Sequence, residues 1–327
     1  MKIWLIGEAA EHEADLCPHL RAPYDVVGLP WEAATTNAFD DRIGAGDVVV
    51  SLRFSRQGGA APPFRLLHVP GAGLDQIDLS VLPANTLVAN VFEHETPIAE
   101  FVLARLLEWE IRASALQYSF TPQTWARQYR NRVPHGEIAG KTMGVVGYGR
   151  IGRAIATRAA AFGVDVIAVD DHATADAAAE VLPTGDLDKV LAVADYLVLA
   201  CPLTSATAGL IDATALAMMQ SHSVLVNISR APIVDESALY DALQDNEIGG
   251  AILDVWYRYP TPDDANPVPS ARPLWELPNA WCTPHSSAWT TELPRRRYAA
   301  IADNVNRLAA GEPLRNVVHT GSRRSAS

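Results

Sequence analysis

Short apolar runs punctuate the first part of the chain at Lys2–Ile6, Asp47–Val50, Arg65–Val69 and Leu87–Asn90. Each is too short for a buried helix, and turns rich in glycine, proline or polar residues separate them, so they read as strands of an α/β layer. A helix is expected next. Thr96-Pro97 pairs an N-cap residue with proline at the first helical position, and the apolar segment continues to about Arg112. The aromatic and arginine-rich stretch Phe120–Arg132 reads as irregular. The strand pattern then resumes at Met143–Val146, Val164–Val169, Tyr196–Ala200, Ser223–Ile228, Ala251–Asp254 and Ala280–Thr283, with helices expected from near Asp186, Asp212 and Asp235. These later strands are apolar on both faces, as a parallel sheet covered by helices requires. Leu293–Ala309 reads as a helix, and the last seven residues, Gly-Ser-Arg-Arg-Ser-Ala-Ser, as a disordered tail.

One junction in this pattern carries chemistry. Met143–Val146 breaks into Gly147-Tyr148-Gly149-Arg150-Ile151-Gly152 and then into an alanine-rich helix ending near Gly163. A strand, a glycine turn and a helix start form a dinucleotide-binding unit: Gly147 permits the turn, Gly149 lets the backbone approach a pyrophosphate, and Gly152 lets the helix pack on the strand. The helix N-terminus supplies unpaired N–H groups and a positive dipole end. Asp170 ends the next strand, where a carboxylate binds the ribose 2′-hydroxyl of NAD.

Composition narrows the function classes. A net charge of −12 argues against nucleic acid or an anionic membrane as partner. No apolar run approaches the roughly 20 residues that span a bilayer, and the first strand begins so close to Met1 that no secretory signal is expected. Cys17, Cys201 and Cys282 lie far apart, and the nine histidines show no ligand spacing. Neither a disulfide framework nor a metal site is therefore expected, and a cytoplasmic location is.

Three further segments fall at carboxyl ends of strands, where open α/β sheets bind ligands. They are Asn227-Ile228-Ser229-Arg230, Asp254-Val255-Trp256-Tyr257 and Thr283-Pro284-His285-Ser286-Ser287. An arginine, an aspartate and a histidine thus occupy successive strand ends of a nicotinamide-binding sheet.

With these motifs the chain resembles the D-isomer-specific 2-hydroxyacid dehydrogenases. The likeness extends to Gly71-Ala72-Gly73-Leu74-Asp75-Gln76-Ile77-Asp78, Gly140-Lys141, Cys201-Pro202-Leu203-Thr204 and Ile233-Val234-Asp235-Glu236. It implies two doubly wound α/β domains: a Rossmann NAD-binding domain, 96–289, inserted into a flavodoxin-like substrate domain of 1–95 plus 290–327. It also implies a homodimer built largely by the nucleotide domain. Hydride would pass between nicotinamide and a 2-hydroxy or 2-oxo acid, with Arg230 gripping the carboxylate and His285 as acid/base. The backbone around Ala72 and Gly73 would hold the other carboxylate oxygen. Asp254 would serve the nicotinamide side, and Tyr148, Arg150, Ile151, Cys201, Pro202, Thr207, Ile228, Ser229 and His285 would complete the cofactor site.

The chain departs from the family at one position. Where the family carries a glutamate beside the histidine, this sequence has Tyr259, and a phenol orients imidazole without stabilising imidazolium as a carboxylate does. The exchange resembles the formate dehydrogenase branch of the family, which also includes phosphite dehydrogenases. Against formate stand His94, where that branch has an asparagine, and Arg53, an unneeded cation for a one-carbon anion. A larger acid with a second polar or anionic group is expected, with Arg53, His94 and Trp289 as further substrate-binding candidates. An NAD(H)-sensing protein similar to the C-terminal-binding corepressors is the alternative from a different class.

Overall fold

A computed structural model of the chain describes residues 1–261 and 264–320, so the expected tail lies outside the described residues. The chain divides into two compact units, one from the described residues of Met1–Glu93 and Thr290–Ser327, the other from those of His94–Trp289.

The first unit is built on five parallel strands: β1 (Lys2–Ile6), β2 (Asp25–Leu29), β3 (Val48–Val50), β4 (Leu66–Val69) and β5 (Leu87–Asn90). Their order is β5-β4-β3-β1-β2, and the C-terminal strand Val317–His319 adds antiparallel to β5. Side chains alternate between two cores. Ile3, Leu5, Val48, Val50 and Leu66 pack with Tyr298, Ile301 and Val305 of the helix Leu293–Ala310. Trp4, Ile6, Val49, Leu67 and Val69 face the other way, onto Leu29, Phe54 and Phe64. A strand buried on both faces has no polar side, which is why these runs are apolar almost throughout, with His68 of β4 a buried exception. Each fully buried Val, Leu or Ile contributes roughly 1.5–3 kcal/mol.

The second unit holds a seven-stranded parallel sheet of β6 (Thr142–Val146), β7 (Asp165–Val169), β8 (Glu180–Leu182), β9 (Tyr196–Leu199), β10 (Val224–Asn227), β11 (Gly250–Leu253) and β12 (Ala280–Cys282). Its order is β12-β11-β10-β9-β6-β7-β8. The chain winds outward from β6 to β7 and β8, then returns to the other side of β6 with β9. That reversal places a crevice at the carboxyl ends of β6 and β9, where such sheets take ligands. Ile98, Val102 and Leu106 of the helix Glu95–Ile111 pack with Ile155, Ala156 and Ala159 of the helix Arg150–Ala161 on one face.

Several expectations need correction. The first long helix begins at Glu95 with His94 as N-cap rather than Thr96, and no side chain caps it. The stretch expected to be irregular contains a helix, Pro122–Arg130, opened by a capping box between Thr121 and Thr124 with proline in its first turn. The signal lay in Thr121-Pro122, obscured by the aromatic composition. Strands β2, β8 and Val317–His319 are also absent from the expected set: β2 contains Gly28, and the other two are short edge strands with no fully buried residue. The expected helix starts at Asp212 and Asp235 carry true caps, each side chain accepting the backbone N–H three residues on.

Candidate active site

The glycine loop after β6 divides its three glycines between packing and open space. Gly147 has φ +95°, and a Cβ there would lie 2.6 Å from the backbone of Cys201. A Cβ on Gly152 would lie 2.2 Å from the carbonyl oxygen of Gly147. Nothing lies within 4 Å of one on Gly149, which is the N-cap of the helix Arg150–Ala161. The first and third glycines let the chain close on itself, while the middle one borders free space at a helix N-terminus. That is the arrangement a pyrophosphate needs.

Asp170 lies directly after β7, and its carboxylate is caged. One oxygen accepts the Tyr148 N–H at 2.8 Å, and the other accepts those of His172 at 2.8 Å and Ala173 at 3.0 Å. Burial pushes this carboxyl up, but the three N–H groups outweigh it and hold it below its ordinary range, so it is an anion at neutral pH. The side chain of Tyr148 is buried and donates its hydroxyl to Asp176 at 2.8 Å. Burial and Asp176 together push the phenol to about 12. Arg150 is exposed and pairs with Glu95 at 3.3 Å, and Ile151 packs against the core.

Among the other expected cofactor residues, Cys201 is buried beneath Gly147, and burial raises its thiol to about 11. Its carbonyl accepts the Ser229 hydroxyl. The Thr207 hydroxyl donates to the Pro202 carbonyl at 2.7 Å and so pins its own turn. Ile228 is buried. Asn227, at the end of β10, accepts the Ser229 N–H and donates to the Arg230 carbonyl, fixing the turn that carries Arg230.

Arg230, Asp254, Tyr259 and His285 come together. His285 adopts φ +56°, a left-handed conformation that a non-glycine residue holds only when its surroundings fix it. Asp254, fully buried after β11, does so: its oxygens accept the Thr283 hydroxyl at 2.6 Å and the N–H groups of Ser286 and Ser287 at 2.8 and 2.9 Å. The Tyr259 hydroxyl lies 2.9 Å from His285 Nδ1 and accepts the Trp256 N–H at 3.1 Å. Solvent reaches the imidazole, yet the protein around it lowers its pKa. Asp254 opposes that shift and Arg230 reinforces it. Burial raises the Tyr259 phenol, partly offset by the Trp256 N–H and by Arg230. The Trp289 side chain is exposed, and its backbone N–H is donated to the Ser286 carbonyl.

His94, at the start of the second unit, is buried. In the first unit, Arg53 lies just beyond β3 with its guanidinium 6.0 Å from the centre of the exposed Trp31 ring. The Ala72–Gly73 segment follows β4, and the Asn90 amide donates to the Ala72 carbonyl at 2.8 Å. Trp31, Asn90, Arg153 and Asp176 were not singled out from sequence, because none belongs to a contiguous motif. Among the described residues, no group of three or more His, Cys, Asp or Glu could hold a metal ion, and no helix is long and apolar enough to cross a membrane.

The parallel sheet, the glycine turn and the caged aspartate define a dinucleotide-binding α/β protein. The sequence model described as D-isomer specific 2-hydroxyacid dehydrogenase, NAD binding domain, matches residues 103–287. D-3-phosphoglycerate dehydrogenase of Mycobacterium bovis is 36% identical over 269 residues, 80% of this chain and 48% of that protein. Glycerate dehydrogenase of Methylorubrum extorquens is 33% identical over 268 residues, 79% of each chain. A solved D-isomer specific 2-hydroxyacid dehydrogenase of Xanthobacter autotrophicus Py2, in complex with NADPH and MES, is 26% identical with a TM-score of 0.74, over 98% of both chains. The chain belongs to the D-isomer specific 2-hydroxyacid dehydrogenase family. Its matches to the phosphoglycerate dehydrogenases span about half of their length.

Proposed function

We propose that the protein is an NAD-dependent oxidoreductase of a 2-hydroxy/2-oxo acid, with His285 as acid/base and Arg230 as carboxylate ligand. The observation that carries this reading is the His285–Tyr259 pair, with 2.9 Å between Nδ1 and the hydroxyl, in the segments that follow β12 and β11 of the sheet that presents the glycine loop. The loop fits a dinucleotide, because free space borders Gly149 at the helix N-terminus. When bound, NADH would supply the hydride (one proton together with two electrons) to the carbonyl carbon of the oxo acid. His285 delivers the accompanying proton from Nε2 to the carbonyl oxygen, giving the hydroxyl. The Tyr259 oxygen accepts Nδ1–H and keeps the ring oriented through the transfer. Arg230 holds the carboxylate and draws electron density from the carbonyl.

NAD is the preferred cofactor in this reading, since the ionised Asp170, followed by Asp171, repels a 2′-phosphate. The Xanthobacter relative was solved with NADPH, so the preference rests on these carboxylates rather than on family membership. The protein acts as a homodimer. Leu116, Tyr118, Phe120, Trp125, Tyr129 and Val133 are all exposed on and around two consecutive helices of the nucleotide-binding unit, an apolar face suited to a second copy.

NADH oxidation against a panel of 2-oxo acids tests the reading, with turnover of at least one expected. Tight NADH binding without turnover of any acid overturns it in favour of an NADH-binding regulator. Turnover of formate or phosphite alone overturns it in favour of that branch.

A further inference from the structure

One cation near the adenosine end of the loop is already committed. Arg153 lies one turn into the helix Arg150–Ala161, with its guanidinium 4.3 Å from the centre of the Tyr148 ring. It donates to the Thr174 carbonyl at 3.2 Å and pairs with the Asp176 carboxylate. Asp176 is itself held: its other oxygen accepts the Tyr148 hydroxyl at 2.8 Å and the Ala178 N–H at 2.9 Å. Thr174 adjoins Ala173, whose N–H is bound by Asp170, and Tyr148 gives its own N–H to Asp170. The ribose-side carboxylate and the Arg153–Asp176 pair are thus two ends of one hydrogen-bonded loop.

The pair is about a third exposed on both sides, at 37% and 39%. Exposed pairs contribute little to stability. Its geometric effect is larger. A guanidinium on this helix is the group a 2′-phosphate seeks, and a preorganised carboxylate now occupies it.

We propose that Asp176 is a specificity-determining residue that sequesters Arg153, so that discrimination against NADP(H) depends on two acids: Asp170, which repels the 2′-phosphate, and Asp176, which withdraws the cation that would bind it. This rests on the NAD preference proposed above. Asp176→Asn keeps an acceptor for Tyr148 and Ala178 while releasing Arg153.

Dissociation constants of NADH and NADPH, measured by nucleotide fluorescence at low salt on the full chain, test the proposal. Asp176→Asn should tighten NADPH about tenfold, the scale of one charge-assisted hydrogen bond, with NADH changed less than about twofold by the same reckoning. Adding Arg153→Gln should abolish the gain. Arg153→Gln alone should leave NADPH affinity as in the parent. The proposal is overturned if Asp176→Asn binds NADH normally with NADPH unimproved, if the gain survives in the double variant, or if Arg153→Gln alone weakens NADPH. The Arg153→Gln arm stands even where Asp176→Asn does not fold. A parent protein that takes NADH and NADPH equally overturns the NAD preference in the first measurement, and the variant comparisons are scored separately from it.

Discussion

Both units wind their chain over a parallel sheet, but they place buried polar groups at different depths. In the first, Asp47 at the amino end of β3 and His68 within the sheet tie distant segments together, as does Arg56. Arg56 makes a two-point pair with Asp40, at 2.7 and 3.0 Å, beneath Phe54. Asp47 gathers the Trp4 indole and the N–H groups of Lys2 and Gly44. His68, within β4 and fully buried, takes a hydrogen bond from Asn304, 236 positions away. In the second unit the polar groups Asp170, Asn227, Asp254 and His285 gather just beyond strand ends, and several hold backbone turns rather than other side chains. Polar groups that tie distant segments cement a fold, whereas polar groups that cage turns at the carboxyl ends of strands shape a site.

The largest expected effect breaks the second unit. Gly152→Ala drives a Cβ into the Gly147 carbonyl, and a destabilisation of about 4 kcal/mol or more is expected for so close a backbone clash. Gly149→Ala is the control, because it meets nothing. It should cost about 1 kcal/mol or less, as a weaker N-cap, yet weaken NADH because the methyl stands where the pyrophosphate approaches. Urea melts and NADH titrations of both variants check the pair. Equal stability of the two would show that the loop is not packed as described.

Arg230→Ala should lower kcat/KM by about two decades, roughly 3 kcal/mol of transition-state stabilisation, with NADH affinity unchanged. A variant that keeps half the parent rate would place the carboxylate elsewhere.

In the first unit the matching test concerns stability alone. The Asn304 carboxamide orientation is fixed by Arg315, whose N–H reaches Oδ1 at 2.8 Å, so Nδ2 faces His68 and Nε2 must accept. The imidazole is neutral, and burial brings its pKa down to about 4. Below about pH 6.5 the unfolded chain gains this proton and the folded chain does not. Stability should therefore fall from pH 6.5 to 4 by about 3 kcal/mol from this residue. In His68→Asn that part of the pH dependence should vanish, with kcat/KM unchanged. A dependence as steep as the parent's would assign it to other groups.

The contrast between the units also decided what could be read in advance. In the second unit most of the chemical groups sit in contiguous motifs, since a turn at a strand end is fixed by its own neighbours: Gly147–Gly152, Asn227–Arg230 and Thr283–Ser287 announce themselves. In the first unit no such locality exists. His68 looks like any strand residue until Asn304 arrives from the C-terminal helix; the second unit has one such case of its own, Arg153, a helix-surface cation until Asp176 meets it. The short edge strands β8 and Val317–His319 have no fully buried residue and so no apolar run to mark them, and their pairing depends on neighbours that propensity does not see.

The smallest expected effect is the sharpest test of the site chemistry. Protein bulk and Arg230 lower the His285 pKa, Asp254 only partly opposes them, and Tyr259 adds no charge. Imidazolium, the acid form needed for reduction, therefore becomes scarce below the ordinary histidine range, and oxo-acid reduction should decline as pH rises toward and through neutrality. Tyr259→Glu puts a carboxylate against Nδ1, favours imidazolium and should move the declining limb upward by about one pH unit, equivalent to about 1.4 kcal/mol. Tyr259→Phe separates charge from orientation: the limb should hold its place while kcat falls, because the ring loses the oxygen that fixes Nδ1. The measurement is kcat/KM for reduction from pH 5 to 9 in the parent and both variants. An unmoved limb in Tyr259→Glu, with His285→Ala inactive, would show that another group sets the histidine's proton affinity and that the 2.9 Å contact serves packing alone.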